Sequence, residues 1–105
     1  MKQKRTYHDD LMRDLKDPKA AIGYLNAAFE DDDQRVFLLA LRDVAESWGG
    51  MTNLSKISKI PRITLYKILS EKGNPEMTTL ENILRALGFR LGIFPLKSSR
   101  MRRAA

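Results

Sequence analysis

The stretch KIPRITLYKIL, residues 59–69, sets Arg62, Thr64, Tyr66 and Lys67 among apolar neighbours. These side chains have the chemistry of polyanion recognition. Arginine can make a bidentate contact to guanine, threonine can bond a base or rest its methyl on thymine, and lysine can reach guanine or phosphate. Tyr66 has two readings: a donor to phosphate, or a ring lying on the core with its hydroxyl wet. Lys59 and Asn53, close by in the chain, complete the set of candidate DNA contacts.

Parts for other chemistries are scarce. His8 is the only histidine and there are no cysteines, which leaves little for a zinc site or a histidine-based catalytic pair. Disulfides are excluded, and a reducing cytosol is the expected home. The acidic run EDDD, residues 30–33, lacks the glycine turn and ligand spacing of a calcium loop. It reads as capping and solubilising charge. We expect no enzyme, no cofactor and no metal. No apolar run approaches the roughly 18–20 residues of a membrane span, and Met1-Lys2-Gln3-Lys4-Arg5 lacks the apolar stretch of a signal peptide.

Charge narrows the partner. The 105 residues carry a formal charge of +6, unevenly placed. Residues 1–50 hold 8 Lys or Arg against 10 Asp or Glu, and residues 51–105 hold 11 against 3. The positive field therefore belongs to the half containing KIPRITLYKIL. A localised basic face favours nucleic acid, against the plainer reading of a solvated basic surface.

The elements that position these residues are helical. A chain of this length forms one domain. Residues 1–16 read as an N-terminal arm with a small amphipathic patch, Leu11 and Leu15. Asp17-Pro18 starts a helix, an acidic cap followed by proline at the first helical position. Asp32 or Asp33 caps the next, residues 34–48, whose Val36, Phe37, Ala40, Leu41, Val44, Ala45 and Trp48 mark it as central. Trp48 reads as a core anchor, and Gly49-Gly50 as the stop. Thr52 or Asn53 then caps a short helix carrying Leu54, Ile57 and Ile60. After Pro61, Ile63, Leu65, Ile68 and Leu69 continue the apolar pattern to the turn KGNP, 72–75. Thr78 and Glu81 form a capping box for a last helix, which Gly88 closes. FRLGIF, 89–94, alternates with period two and predicts a short strand, paired with the arm or with a second copy through Arg90, Leu91 and Ile93. Residues 97–105 are read as a basic disordered tail.

Two short helices joined by a tight turn, the second bearing Arg, Thr, Tyr and Lys, describe a helix-turn-helix at about 52–70. The first must pack on the second, and the second must keep its polar side free for the major groove. The strings DPKAA-YL, ALRDVAE and LYK-LSEKGNP---T-----ALG together resemble the addiction-module antidote family, HigA-like antitoxins with a Cro/C1-type helix-turn-helix. The resemblance runs from about Tyr7 to Pro95. It implies an all-α, five-helix repressor-like domain over 17–96, with the arm before it and the strand at its end. It also implies a homodimeric antitoxin that binds double-stranded operator DNA, represses its own operon and neutralises a RelE/HigB-type ribonuclease toxin. The compartment implied is the bacterial cytoplasm, in association with the nucleoid.

Toxin contacts are assigned to Leu11, Leu15 and Tyr24, outside the helix-turn-helix; completion of the antitoxin's own core is the competing reading. The main alternative function is a protein-binding module whose helix-turn-helix is only scaffold. Two residues depart from the helix-turn-helix pattern: Ser55 replaces a usual alanine at the helix crossing, and Lys59 a usual glycine in the turn. If position 59 needs positive φ, lysine there is strained by roughly 1–2 kcal/mol. Pro61, in the first turn of the recognition helix, supplies no capping oxygen.

Overall fold

In the computed structural model residues 6–96 are described, and they form six α-helices. Helix α1, Tyr7–Asp14, opens with a reciprocal pair: the Thr6 hydroxyl accepts from the Asp9 amide (3.0 Å), and the Asp9 carboxylate from the Thr6 amide (3.3 Å). Two otherwise orphaned donors are thereby satisfied. Asp17 caps α2, Pro18–Phe29, by accepting from the Lys19 amide at 3.0 Å. Asp33 caps α3, Gln34–Ser47, accepting from the Arg35 amide and pairing with its guanidinium at 2.6 Å. The Arg35 side-chain hydrogen bond, above all, holds the Asp33 carboxyl below the usual carboxylate range.

Helix α3 packs against α1, α2 and a fourth helix, α4, Gly50–Ser58. Its Phe37, Leu38, Leu41 and Val44 share one buried cluster with Leu15, Ala21 and Leu25. Three polar ties pin α1 to the end of α3. The Ser47 hydroxyl donates to the Met12 carbonyl (2.7 Å), the Trp48 indole N–H to the Leu15 carbonyl (2.6 Å), and the Lys16 ammonium to the Ser47 carbonyl (3.3 Å). Trp48 also stacks on Phe89, with ring centroids 5.2 Å apart, in the core role expected of it. The described part of the segment read as an arm is therefore a docked helix. The capping box at Thr6 and the burial of Leu15 are what make it one.

Gly49 and Gly50 both have positive φ, 106° and 86°. They reverse the chain so abruptly that α4 begins at Gly50 without a side-chain cap, and Thr52 and Asn53 lie inside its first turns. Helix α5, Arg62–Ile68, and helix α6, Met77–Ala86, both pack on α4. Between them runs the expected turn. A Cβ on Gly73 would stand 1.8 Å from the Ile68 carbonyl oxygen, so only glycine permits this close approach. The capping box expected at Thr78 is absent. The Glu76 carbonyl already accepts from the Leu80 amide at 3.0 Å, so the helix starts before Thr78 and has no side-chain cap. Gly88 closes α6 as expected. Its φ is 93°, and the Phe89 and Gly88 amides return to the Leu84 and Arg85 carbonyls at 2.8 and 2.9 Å.

All-α is the right class, but the count is six rather than five, and residues 89–94 form no strand. Strand geometry requires a partner for the backbone, and none lies alongside among the described residues. Phe89 and Leu91 still turn onto the core, whereas Ile93 is 98% exposed. The tail assigned to 97–105 lies outside the described residues.

Candidate nucleic-acid interface

Helices α4 and α5 are held together by Leu54, Leu65 and Leu69, all fully buried. The turn between them contains the departure noted in the sequence. Lys59 has φ 65° and ψ 25°, the left-handed conformation that a glycine would take without cost. Around it four hydrogen bonds brace the turn. The Lys59 amide donates to the Ser55 carbonyl (2.9 Å), the Ser55 hydroxyl to the Ile60 carbonyl (2.6 Å), and the Ile60 amide to the Ser58 hydroxyl (3.3 Å). From α6, the Asn82 amide donates to the Ser58 carbonyl at 3.2 Å. Ser55 thus contributes a bond that the usual alanine could not make. Pro61 sits at the N-cap, one residue earlier than read, and offers no side-chain cap; its carbonyl accepts the first helical bond, from Leu65 at 2.9 Å.

Successive residues of α5 are set about 100° apart. Leu65 and Leu69 define the buried side, so Ile63 and Lys67 stand at the centre of the outward side. Thr64 lies on one flank, with Arg62 and Tyr66 on the other. Arg62, Thr64 and Lys67 are all exposed, as the reading face requires. They are spread around it rather than aligned. Ile63, which continues the apolar pattern of the sequence, is nonetheless 72% exposed. A helix of seven residues touching its support mainly through Leu65 and Leu69 has only a narrow side to bury. Lys59 is exposed beside α5, and the exposed Asn53 spends its amide on the Trp48 carbonyl at 3.4 Å.

Arg62 does not hang free. Its guanidinium donates to the Thr52 hydroxyl at 2.8 Å and lies 6.0 Å from the centroid of the Tyr66 ring. On the same ring, at 5.0 Å, lies the guanidinium of Arg42 from α3. Sequence reasoning missed Arg42, because no local periodicity links it to a helix two elements later.

The residues assigned to a toxin are largely occupied. Leu15 is 2% exposed and belongs to the core, which corrects its assignment to a surface. Leu11 is half-buried against that core, and the half-buried Tyr24 donates its hydroxyl to Asp43 at 2.6 Å. Burial, then Asp43, pushes the Tyr24 phenol well above its ordinary range. Of the dimer candidates, Arg90 and Leu91 line an apolar groove of about 440 Å³ with Ile22, Phe29, Phe37 and Phe94, and Ile93 projects beside it. No helix among the described residues is long and apolar enough to cross a membrane.

No solved structure matches this chain. An uncharacterized protein of Haemophilus influenzae is 34% identical over 70 residues, covering 67% of this chain and 71% of that protein. Residues 5–95 match the family described as "Probable addiction module antidote protein". That span takes in all six helices and the turn between α4 and α5, and the chain belongs to this family of addiction-module antidotes.

Proposed function

We propose that the chain is the antitoxin of a two-component module, that it binds operator DNA through α4 and α5 to repress its own operon, and that it neutralises a RelE/HigB-type ribonuclease. Family membership supports the antidote role and a toxin partner. The observation that carries the DNA reading is the outward side of α5: Arg62, Ile63, Thr64 and Lys67 are exposed while Leu65 and Leu69 hold the helix to its neighbours. Such a helix fits the major groove, where Lys67 and Thr64 reach base edges and Ile63 meets thymine methyls. The protein acts by binding rather than catalysis, in the bacterial cytoplasm. It pairs with a second copy across the apolar groove, where Ile93 and Phe94 are among the most exposed large apolar side chains. The toxin is received on the outer side of α1 and α2, where the acidic half of the chain suits a basic ribonuclease.

The test is operator binding by an Arg62→Ala/Lys67→Ala double variant. Each lost contact costs on the order of 1–3 kcal/mol, with the melting transition preserved. Unchanged affinity would leave the helix-turn-helix as scaffold and toxin capture as the whole function. Sedimentation at micromolar concentration checks the dimer, and a monomer there removes it.

A further inference from the structure

We infer that Arg42, Tyr66 and Arg62 form a clamp for one phosphodiester of the bound duplex, at the edge of α5 rather than on its reading side. The inference rests on the DNA-binding reading above. Two guanidiniums from different helices lie on one aromatic ring, at 5.0 and 6.0 Å from its centroid. Among the described residues neither is paired with a carboxylate. Arg42 donates no hydrogen bond among the described residues, which leaves its five N–H donors for a ligand. The Tyr66 hydroxyl is likewise uncommitted, and its residue is 39% exposed. Two guanidiniums on one ring, with no counter-ion among the described residues and a hydroxyl on the same ring, are a donor set for a tetrahedral anion.

Thr52 and the Tyr66 ring fix the orientation of Arg62, and the ring does the same for Arg42. Arg62 and Tyr66, one helical turn apart, occupy the flank of α5 nearest Arg42. Lys67 and Ile63 remain for the bases. Arg42 and Arg62 therefore set the position of the helix on the duplex, and the outward residues read sequence.

The experiment measures binding of the full chain to two duplexes, one from upstream of its own gene and one unrelated, across 50–200 mM NaCl. Arg42→Gln is expected to weaken both duplexes by the same factor and to lower the slope of log K against log salt by about 0.9, so the loss over that salt range shrinks about 3.5-fold. Arg42→Lys, which keeps the charge, is expected to restore the slope. Tyr66→Phe is expected to keep the stacking and most of the binding, whereas Tyr66→Leu is expected to weaken both duplexes alike while leaving the slope near that of wild type. Unaltered affinity and slope in Arg42→Gln, or a loss confined to the operator duplex, overturns the clamp while leaving the DNA reading intact. A wild-type chain that binds neither duplex overturns both.

Discussion

Replacing Lys59 with glycine is expected to make this protein more stable, although it removes a side chain from the surface. Lys59 is the only non-glycine residue with positive φ among the described residues. At φ 65° its Cβ crowds the carbonyl oxygen, costing roughly 1–2 kcal/mol. Glycine removes that cost but widens the unfolded ensemble, which returns about 0.4–1 kcal/mol. The bond from residue 59 to the Ser55 carbonyl uses only the backbone and survives the change. The net is a gain of about 0.5–1 kcal/mol, or a few degrees in Tm for a domain of this size. Urea unfolding followed by circular dichroism measures it directly. Lys59→Asn separates the two contributions, since asparagine tolerates left-handed backbone without glycine's added chain entropy. Both variants melting at or below wild type would refute the strain argument, and the turn would then be held at no cost by its neighbours.

Other substitutions test other joints. Gly73→Ala forces a methyl against the Ile68 carbonyl and is expected to cost ~2–3 kcal/mol in denaturant melts. Ser55→Ala loses the bond to the Ile60 carbonyl and should cost about 1 kcal/mol by the same assay. Leu15→Ala opens a cavity in the core and is expected to cost about 2–5 kcal/mol, far more than removal of a surface toxin contact. Tyr24 has its folded pKa raised above the unfolded value near 10. The stability it contributes is full below pH ~10 and drains away as pH rises beyond it. Alkaline unfolding should therefore be steeper in wild type than in Tyr24→Phe.

Much of this arrangement was legible because it is local. Asp17-Pro18, Asp33 and Gly88 mark helix ends through bonds to residues two to five positions away, and all three act as their types predict. The failures share a different cause. Thr78 and Glu81 satisfy a capping pattern, yet the backbone after Glu76 was already helical, so the pattern had nothing left to cap. FRLGIF has the alternation of a strand, but alternation cannot supply the neighbouring backbone that makes one. The first segment looked loose because its apolar residues are few; the ties from Ser47 and Trp48 that dock it come from more than thirty residues away. At the candidate site, periodicity separated the exposed side chains of α5 from the buried ones except at Ile63. It could not bring Arg42 to Tyr66, because that meeting joins two helices whose residues lie 24 positions apart.

The strained lysine and the arginine pair are linked through the placement of α5. The left-handed residue at 59 sets the direction in which the chain leaves α4, and hence where α5 starts. Only with α5 so placed does Arg62 meet Thr52, in the first turn of α4, and the Tyr66 ring centroid come to 5.0 Å from the Arg42 guanidinium. Strain held at such a position is a familiar exchange of stability for function. A glycine there would hold the same turn with less strain, but it would forfeit a cation beside α5. Lys59→Gly should therefore move two observables in opposite directions: a higher melting temperature, and a salt slope for DNA binding lower by about 0.9, the share of one phosphate contact. If stability rises and the slope stays fixed, Lys59 contributes nothing to DNA, and the strain at the turn has no functional return.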